Sequence, residues 1–134
     1  MRICLTVISL ICLLSMLIGC GSDKPTSSFG AFQPEIINNA DSFQFQITDA
    51  NNVMATVSYE WTNTGTQATI NHSTAMTNGN ASVVILDADS TQVYSSGLLA
   101  SANESSLAGT AGTWIVRVSF VNFYGTANFR VEKL

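Results

Sequence analysis

The chain has 134 residues with five Lys or Arg against nine Asp or Glu, a net charge of −4, and only 10% charged residues. Nucleic acid is excluded as a partner, because phosphate binding needs a basic patch and the sequence has none. All three cysteines, Cys4, Cys12 and Cys20, fall in the first twenty residues, so whatever follows must be stable without a disulfide.

The amino terminus opens Met1-Arg2 and then carries no charge from Ile3 to Ile18. One positive charge, an apolar run and a small residue form the layout of a secretory signal peptide. The competing reading is a membrane-spanning helix. Sixteen residues make roughly 24 Å of helix at about 1.5 Å each, short of the ~20 apolar residues a span usually needs. No basic cluster follows as a stop-transfer signal, since Lys24 stands beside Asp23.

Leu17-Ile18-Gly19-Cys20 resembles the bacterial lipobox. The resemblance implies cleavage between Gly19 and Cys20, a diacylglycerol on the Cys20 thiol and a fatty acyl group on the new amine. Several acyl chains anchor stably where one alone is marginal. The membrane is thus an expected partner through the lipid, and the expected location is a bacterial cell envelope. Gly21, rather than Asp, follows the cysteine; in enteric bacteria an Asp there resembles an inner-membrane retention signal, so its absence leans toward the outer membrane or cell surface. Beyond these acyl groups no cofactor is expected.

Removal of residues 1–19 would leave one domain and take away Arg2, so Lys24, Arg117, Arg130 and Lys133 remain against nine acids. Residues 20–34, "CGSDKPTSSFGAFQP", read as the lipidated cysteine and a tether rich in Pro, Gly and Ser. Gly21–Pro34 would span about 20 Å on average as a flexible coil.

From residue 35 the pattern is that of strands. Phe43, Phe45 and Ile47 alternate with glutamines, and Val53, Ala55, Val57, Tyr59 and Trp61 alternate with polar residues. Ala68 and Ile70, the run "ASVVILDA", the shorter "TQVYSS", then Trp114, Val116, Val118 and Phe120, and finally Ala127, Phe129 and Val131 continue the theme. Period two marks strands with one face on a core. Asp49–Asn52, Asn63–Gly65, Asn78–Asn80, Asp87–Asp89, Gly109–Gly112 and Tyr124-Gly125 supply turn chemistry between them. The expected fold is all-β: an antiparallel, jelly-roll-like β-sandwich of about seven to eight strands over residues 35–134.

Three stretches, "ADSFQFQI" (40–47), "ASVVILDADSTQVYSSG" (81–97) and "AGTAGTWIVRVSFVNFYGTANFRV" (108–131), together resemble the bacterial pre-peptidase C-terminal domain. The resemblance rests on strand grammar over about the last ninety residues and implies a small jelly-roll-like sandwich. Such domains usually accompany secreted proteases; here there is no protease domain, so that role does not carry over.

Candidate chemistry is sparse. His72 is the only histidine and would be the base of a Ser-His-Asp site, with Ser73 beside it. No G-x-S-x-G elbow is present, and a polar loop histidine is the preferred reading. Asp87 and Asp89 are a candidate calcium pair, although a hairpin turn with Asx bonding explains both. No other metal is expected. Trp61, Trp114, Tyr59 and Tyr94 could stack on sugars, but the first three share the phase of Val and Phe neighbours, which favours core packing. Phe123 and Tyr124 fall at an expected hairpin tip and are the candidates for partner contact. Asn71, Asn80 and Asn103 begin N-x-[ST] sequons that read as incidental. The expected role is a non-enzymatic binding or assembly module with a protein or glycan partner. The alternatives are a small envelope hydrolase using His72 or the Asp87/Asp89 turn, and a purely structural sandwich.

Overall fold

The computed structural model describes residues 29–134. Gly19, Cys20, the signal segment and the tether up to Ser28 lie outside the described residues. Six strands follow one another: β1 (Glu35–Asn39), β2 (Ser42–Asn63), β3 (Ala68–Leu86), β4 (Gln92–Gly97), β5 (Ala102–Ser105) and β6 (Gly112–Lys133). All pairings are antiparallel, in the order β1-β2-β6-β3-β4, with β5 also on β3.

Three of these strands are 19 to 22 residues long, and each bends so that its two halves lie in different layers. The first layer holds β1, residues 42–47 of β2, 127–133 of β6, 68–75 of β3, and β5. The second holds residues 53–63 of β2, 112–123 of β6, 80–86 of β3, and β4. The layers face each other: Phe43 and Phe45 meet Tyr59, from the far half of the same strand, at ring-centroid distances of 5.5 and 6.2 Å. The chain is therefore the expected antiparallel sandwich, made from fewer and longer strands.

The bends explain why. Register slips separate Ile47 from Ala50, Ala50 from Val53 and Val53 from Ala55 along β2, and Met76 from Asn78 and Asn78 from Asn80 along β3. Left-handed backbone sits at those places: Asp49, Asn52 and Asn122 with φ of 48°, 53° and 47°, and Gly79 and Gly125 with 86° and 136°. Asp, Asn and Gly tolerate that conformation, and it serves a β-bulge as well as a hairpin turn. So Asp49–Asn52, Asn78–Asn80 and Tyr124-Gly125, expected as turns between strands, are bulges within strands. At Gly79 and Gly125 the backbones also approach closely; a Cβ on Gly125 would sit 2.2 Å from the Ala75 carbonyl oxygen.

The core is the set of alternating apolar residues the sequence marks. Phe43, Phe45, Ile47, Ile70, Val83, Ile85, Trp114, Val116, Val118, Phe129 and Val131 are fully buried. Phe45 lies between Phe129 and Phe120, stacked at 5.1 and 5.8 Å. Offset aromatic stacking adds stabilisation beyond the area buried. The domain begins earlier than residue 35: Phe29, placed in the expected tether, is only 4% exposed and packs on Phe45 and Phe120. It is a large apolar side chain within reach of the gap between the layers.

Candidate functional site

Period-two alternation that buries one side of a strand presents the other side to solvent. On the first layer those outward residues line up in rows across four strands. Ser42, Glu132, Thr69 and Ser105 are neighbours in register; so are Gln44, Arg130, Asn71 and Asn103; Gln46, Asn128 and Ser73 make the next row. The face is built mainly of amides and hydroxyls with one cation, Arg130, and two anions, Glu132 and, on β1, Glu35; the exposed Ile37 of β1 stands beside Gln44. Thr69, Asn71, Asn103, Asn128, Arg130 and Glu132 surround a depression of about 400 Å³.

Half of this array is held in place. Asn128 Nδ2 donates to Gln46 Oε1 at 2.9 Å, and Arg130 Nη2 donates to Gln44 Oε1 at 3.1 Å. Arg130 also lies 3.9 Å from Glu132, an exposed pair that contributes little to stability. The side chains of Thr69, Asn71 and Asn103 make no hydrogen bond to the described residues. Each Asn amide offers two donors and an acceptor with two lone pairs, so this rim has unspent capacity next to positioned partners. The individual residues were visible in the sequence as the polar phase of each strand. Their assembly was not, because it depends on β3, β5 and β6 coming together in one register.

The residues singled out from the sequence fall elsewhere. Phe123 is not at a hairpin tip; it is fully buried inside β6, 4.9 Å from Phe120, and it cannot contact a partner. The Asn122 bulge turns it inward, and Tyr124 beside it is half-buried. His72 is not in a loop. It lies in β3, 3% exposed, in register with Phe129 on one side and Ala102 on the other. Among the described residues, neither of its ring nitrogens nor Thr74 Oγ1 has a hydrogen-bond partner. Ser73 faces out while His72 faces in, so the two do not form a nucleophile and base.

Asp87 is 5% exposed and works as a loop clamp. It accepts hydrogen bonds from the backbone N–H groups of Thr110 at 2.9 Å, Thr91 at 2.8 Å and Asp89 at 3.0 Å. The Thr110 bond is the main cause holding its carboxyl below the usual aspartate range, against an opposing effect of burial. Asp89 accepts from the Thr110 hydroxyl. Both carboxylates thus tie Asp87–Thr91 to the loop before β6. Among the described residues no group of three or more His, Cys, Asp or Glu is placed to hold a metal ion.

The tryptophans belong to the core. Trp61 and Trp114 meet edge to face at 5.8 Å, and their indole N–H groups donate to the carbonyls of Asn39 and Thr110. Nearby, Asp41 accepts from Thr64 N at 2.7 Å and pairs with Lys133 Nζ at 2.9 Å. The Thr64 backbone bond, then Lys133, lowers its pKa to about 2. Tyr94 bridges the layers at the opposite edge, donating to Glu104 Oε2 at 2.7 Å. Burial, then that bond, pushes its pKa up to about 12.

No protein-family model matches the chain, and no curated protein matches it either. Among solved structures, one titled "CBM4 structure and function" is similar with a TM-score of 0.41 and 12% sequence identity, covering 79% of this chain and 81% of that one.

Proposed function

We propose that this chain is a lipid-anchored, non-catalytic binding module of a bacterial cell envelope, and that the outer face of its first layer binds carbohydrate. The observation that carries the binding reading is the register that gathers Asn71, Asn103, Asn128, Arg130, Thr69 and Glu132 around one depression. Vicinal hydroxyls are both donors and acceptors, and amide, hydroxyl, guanidinium and carboxylate groups match them in both senses. Positioned Asn128 and Arg130 reduce the ordering cost of binding, while free Asn71 and Asn103 supply new hydrogen bonds.

The envelope reading is supported by the Arg2-led apolar leader and by Leu17-Ile18-Gly19-Cys20. Cys20 would carry the diacylglycerol, leaving the domain to meet glycan at the surface. Against the hydrolase alternative, His72 is enclosed in the core away from Ser73, and the Asp87 carboxylate accepts from three backbone N–H groups.

Two measurements test the two halves. Titration with a panel of neutral and acidic oligosaccharides should give binding that Asn71→Ala with Asn128→Ala removes; no binding across the panel, or binding indifferent to these substitutions, would refute the glycan reading. An intact mass of membrane-extracted protein should equal residues 20–134 plus two or three acyl chains. An unlipidated mass would refute the anchor.

A further inference from the structure

A sandwich of open sheets has four edges, and exposed edges invite pairing with other strands. In the first layer the edges are β1, five residues, and β5, four residues. In the second layer one edge is β4, six residues with a register slip against β3. Shortness and irregularity are the usual protections. The fourth edge is the second half of β2, which pairs with β6 on one side and with no described strand on the other. Its register runs unbroken from Ala55 to Asn63. The segment "VMATVSYEWTN" contains no Pro, Lys or Arg, and Glu60 is its single charge.

The direction of the free backbone groups can be read from the upper end of this edge. The Thr62 carbonyl accepts from Asp41 N, and the Glu60 carbonyl accepts from Asn38 Nδ2, both on the side away from β6. Backbone groups alternate along a strand with the same period as side chains. Met54, Thr56 and Ser58 therefore direct their N–H and C=O groups outward, and no described strand receives them. A second observation coincides with this one. Phe32, Ile36, Val57 and Tyr59, which are partly buried hydrophobics on the core, gather at the same rim, so the core is least covered where the ladder is unfinished. A cleft of about 330 Å³ between residues 29–32 and 51–54 leaves space at the lower end.

We propose that a second copy of this chain completes the edge, pairing antiparallel with β2 about a two-fold axis at Thr56. That register uses the free groups and no others: Thr56 opposes Thr56 of the second copy, and Met54 opposes its Ser58. Ala55 then faces its Val57, and Val53 its Tyr59, which covers the open rim. Glu60 falls opposite Asn52 and not opposite another Glu60, so the acidic chain brings no like charges together at the seam. The interface is isologous and closes as a dimer.

Position 56 meets itself, and this gives a test that other interfaces fail. Thr56 is exposed, so a charge there is tolerated in the single chain. Like charges directly opposed across a strand pair are destabilising. In the full chain carrying Cys20→Ala, sedimentation velocity should show dimers. Thr56→Asp and Thr56→Lys should each raise the dimer dissociation constant roughly tenfold or more, while the melting temperature of the monomer, taken at concentrations below the dissociation constant, stays that of the parent. An equimolar mixture of the two variants should restore the dimer. A monomeric parent chain would overturn the proposal, as would dimers insensitive to both charges or a mixture no tighter than its components. Hydrogen exchange supplies a separate check: slow exchange of Met54, Thr56 and Ser58 amides in a monomer would mean that the chain's own residues cover the edge, and would also overturn it.

Discussion

The two outer faces of the sandwich are made by the same three strands on either side of the bend, yet they differ in chemistry. On the first layer the middle strands show Gln44, Gln46, Asn128, Arg130, Asn71 and Ser73. On the second, where β2 is an edge, the same three strands show Thr56, Ser58, Ser119, Arg117 and Ser82, together with the apolar Ile115, Val84 and Leu86. Both faces cover an equally well-buried inner side. Packing therefore does not require the amide rows, since an ordinary mixture of hydroxyl and β-branched residues serves the second layer. The two faces differ in what they display: the first sets amides side by side in register, where the second mixes hydroxyls with apolar residues.

The largest effect should come from removing the bend that makes two faces of one sheet. Gly125→Ala places a Cβ against the Ala75 carbonyl and forces a non-glycine residue to φ 136°. It should cost about 3 kcal/mol or more, read by chemical denaturation, and both faces should be lost together. Acid attacks the opposite end, where loops join the layers. The pKa values of Asp41 and Asp87 are lowered on folding, so their contributions are complete above the unfolded aspartate range. They fade as pH falls through the folded values, about 2 for Asp41. Melting temperature should hold down to about pH 4 and then drop. Asp41→Asn should lower the plateau and flatten that drop.

A change beneath the first face should act in the other direction. His72 and Thr74 hold unpartnered polar atoms in the core, and a buried unsatisfied group costs about 1–3 kcal/mol. His72→Leu should therefore raise stability by about 1 kcal/mol, measured by denaturant midpoint, and should leave the outer rows and their binding unchanged. The smallest stability effects belong to the faces. Asn71→Ala with Arg130→Ala, or Thr56→Ala with Ser119→Ala, should each move stability by less than about 0.5 kcal/mol, and the first pair alone should abolish glycan binding.

The sequence carried the core almost residue for residue, because burial on one face writes itself as period two. It under-read strand length at Asp49–Asn52, Asn78–Asn80 and Tyr124-Gly125, since Asn, Asp and Gly give the same left-handed backbone to a turn and to a bulge. Phe123 was misplaced for that reason. His72 was legible in phase, two positions after Ile70 and four after Ala68, but its polar neighbours Asn71 and Ser73 disguised a strand as a loop. The first-face array could not be read ahead of the fold, because its rows join residues from Gln44 to Arg130 through register alone. Its members carry no motif.

The most direct measurement is a map of backbone amide shifts while an oligosaccharide found to bind is titrated into the labelled chain. Glycan binding at the first face predicts shifts concentrated on residues 69–73, 103–105 and 128–132, with residues 56–60, 82–86 and 115–119 unmoved. Shifts on the second face, or spread over neither face, would contradict it.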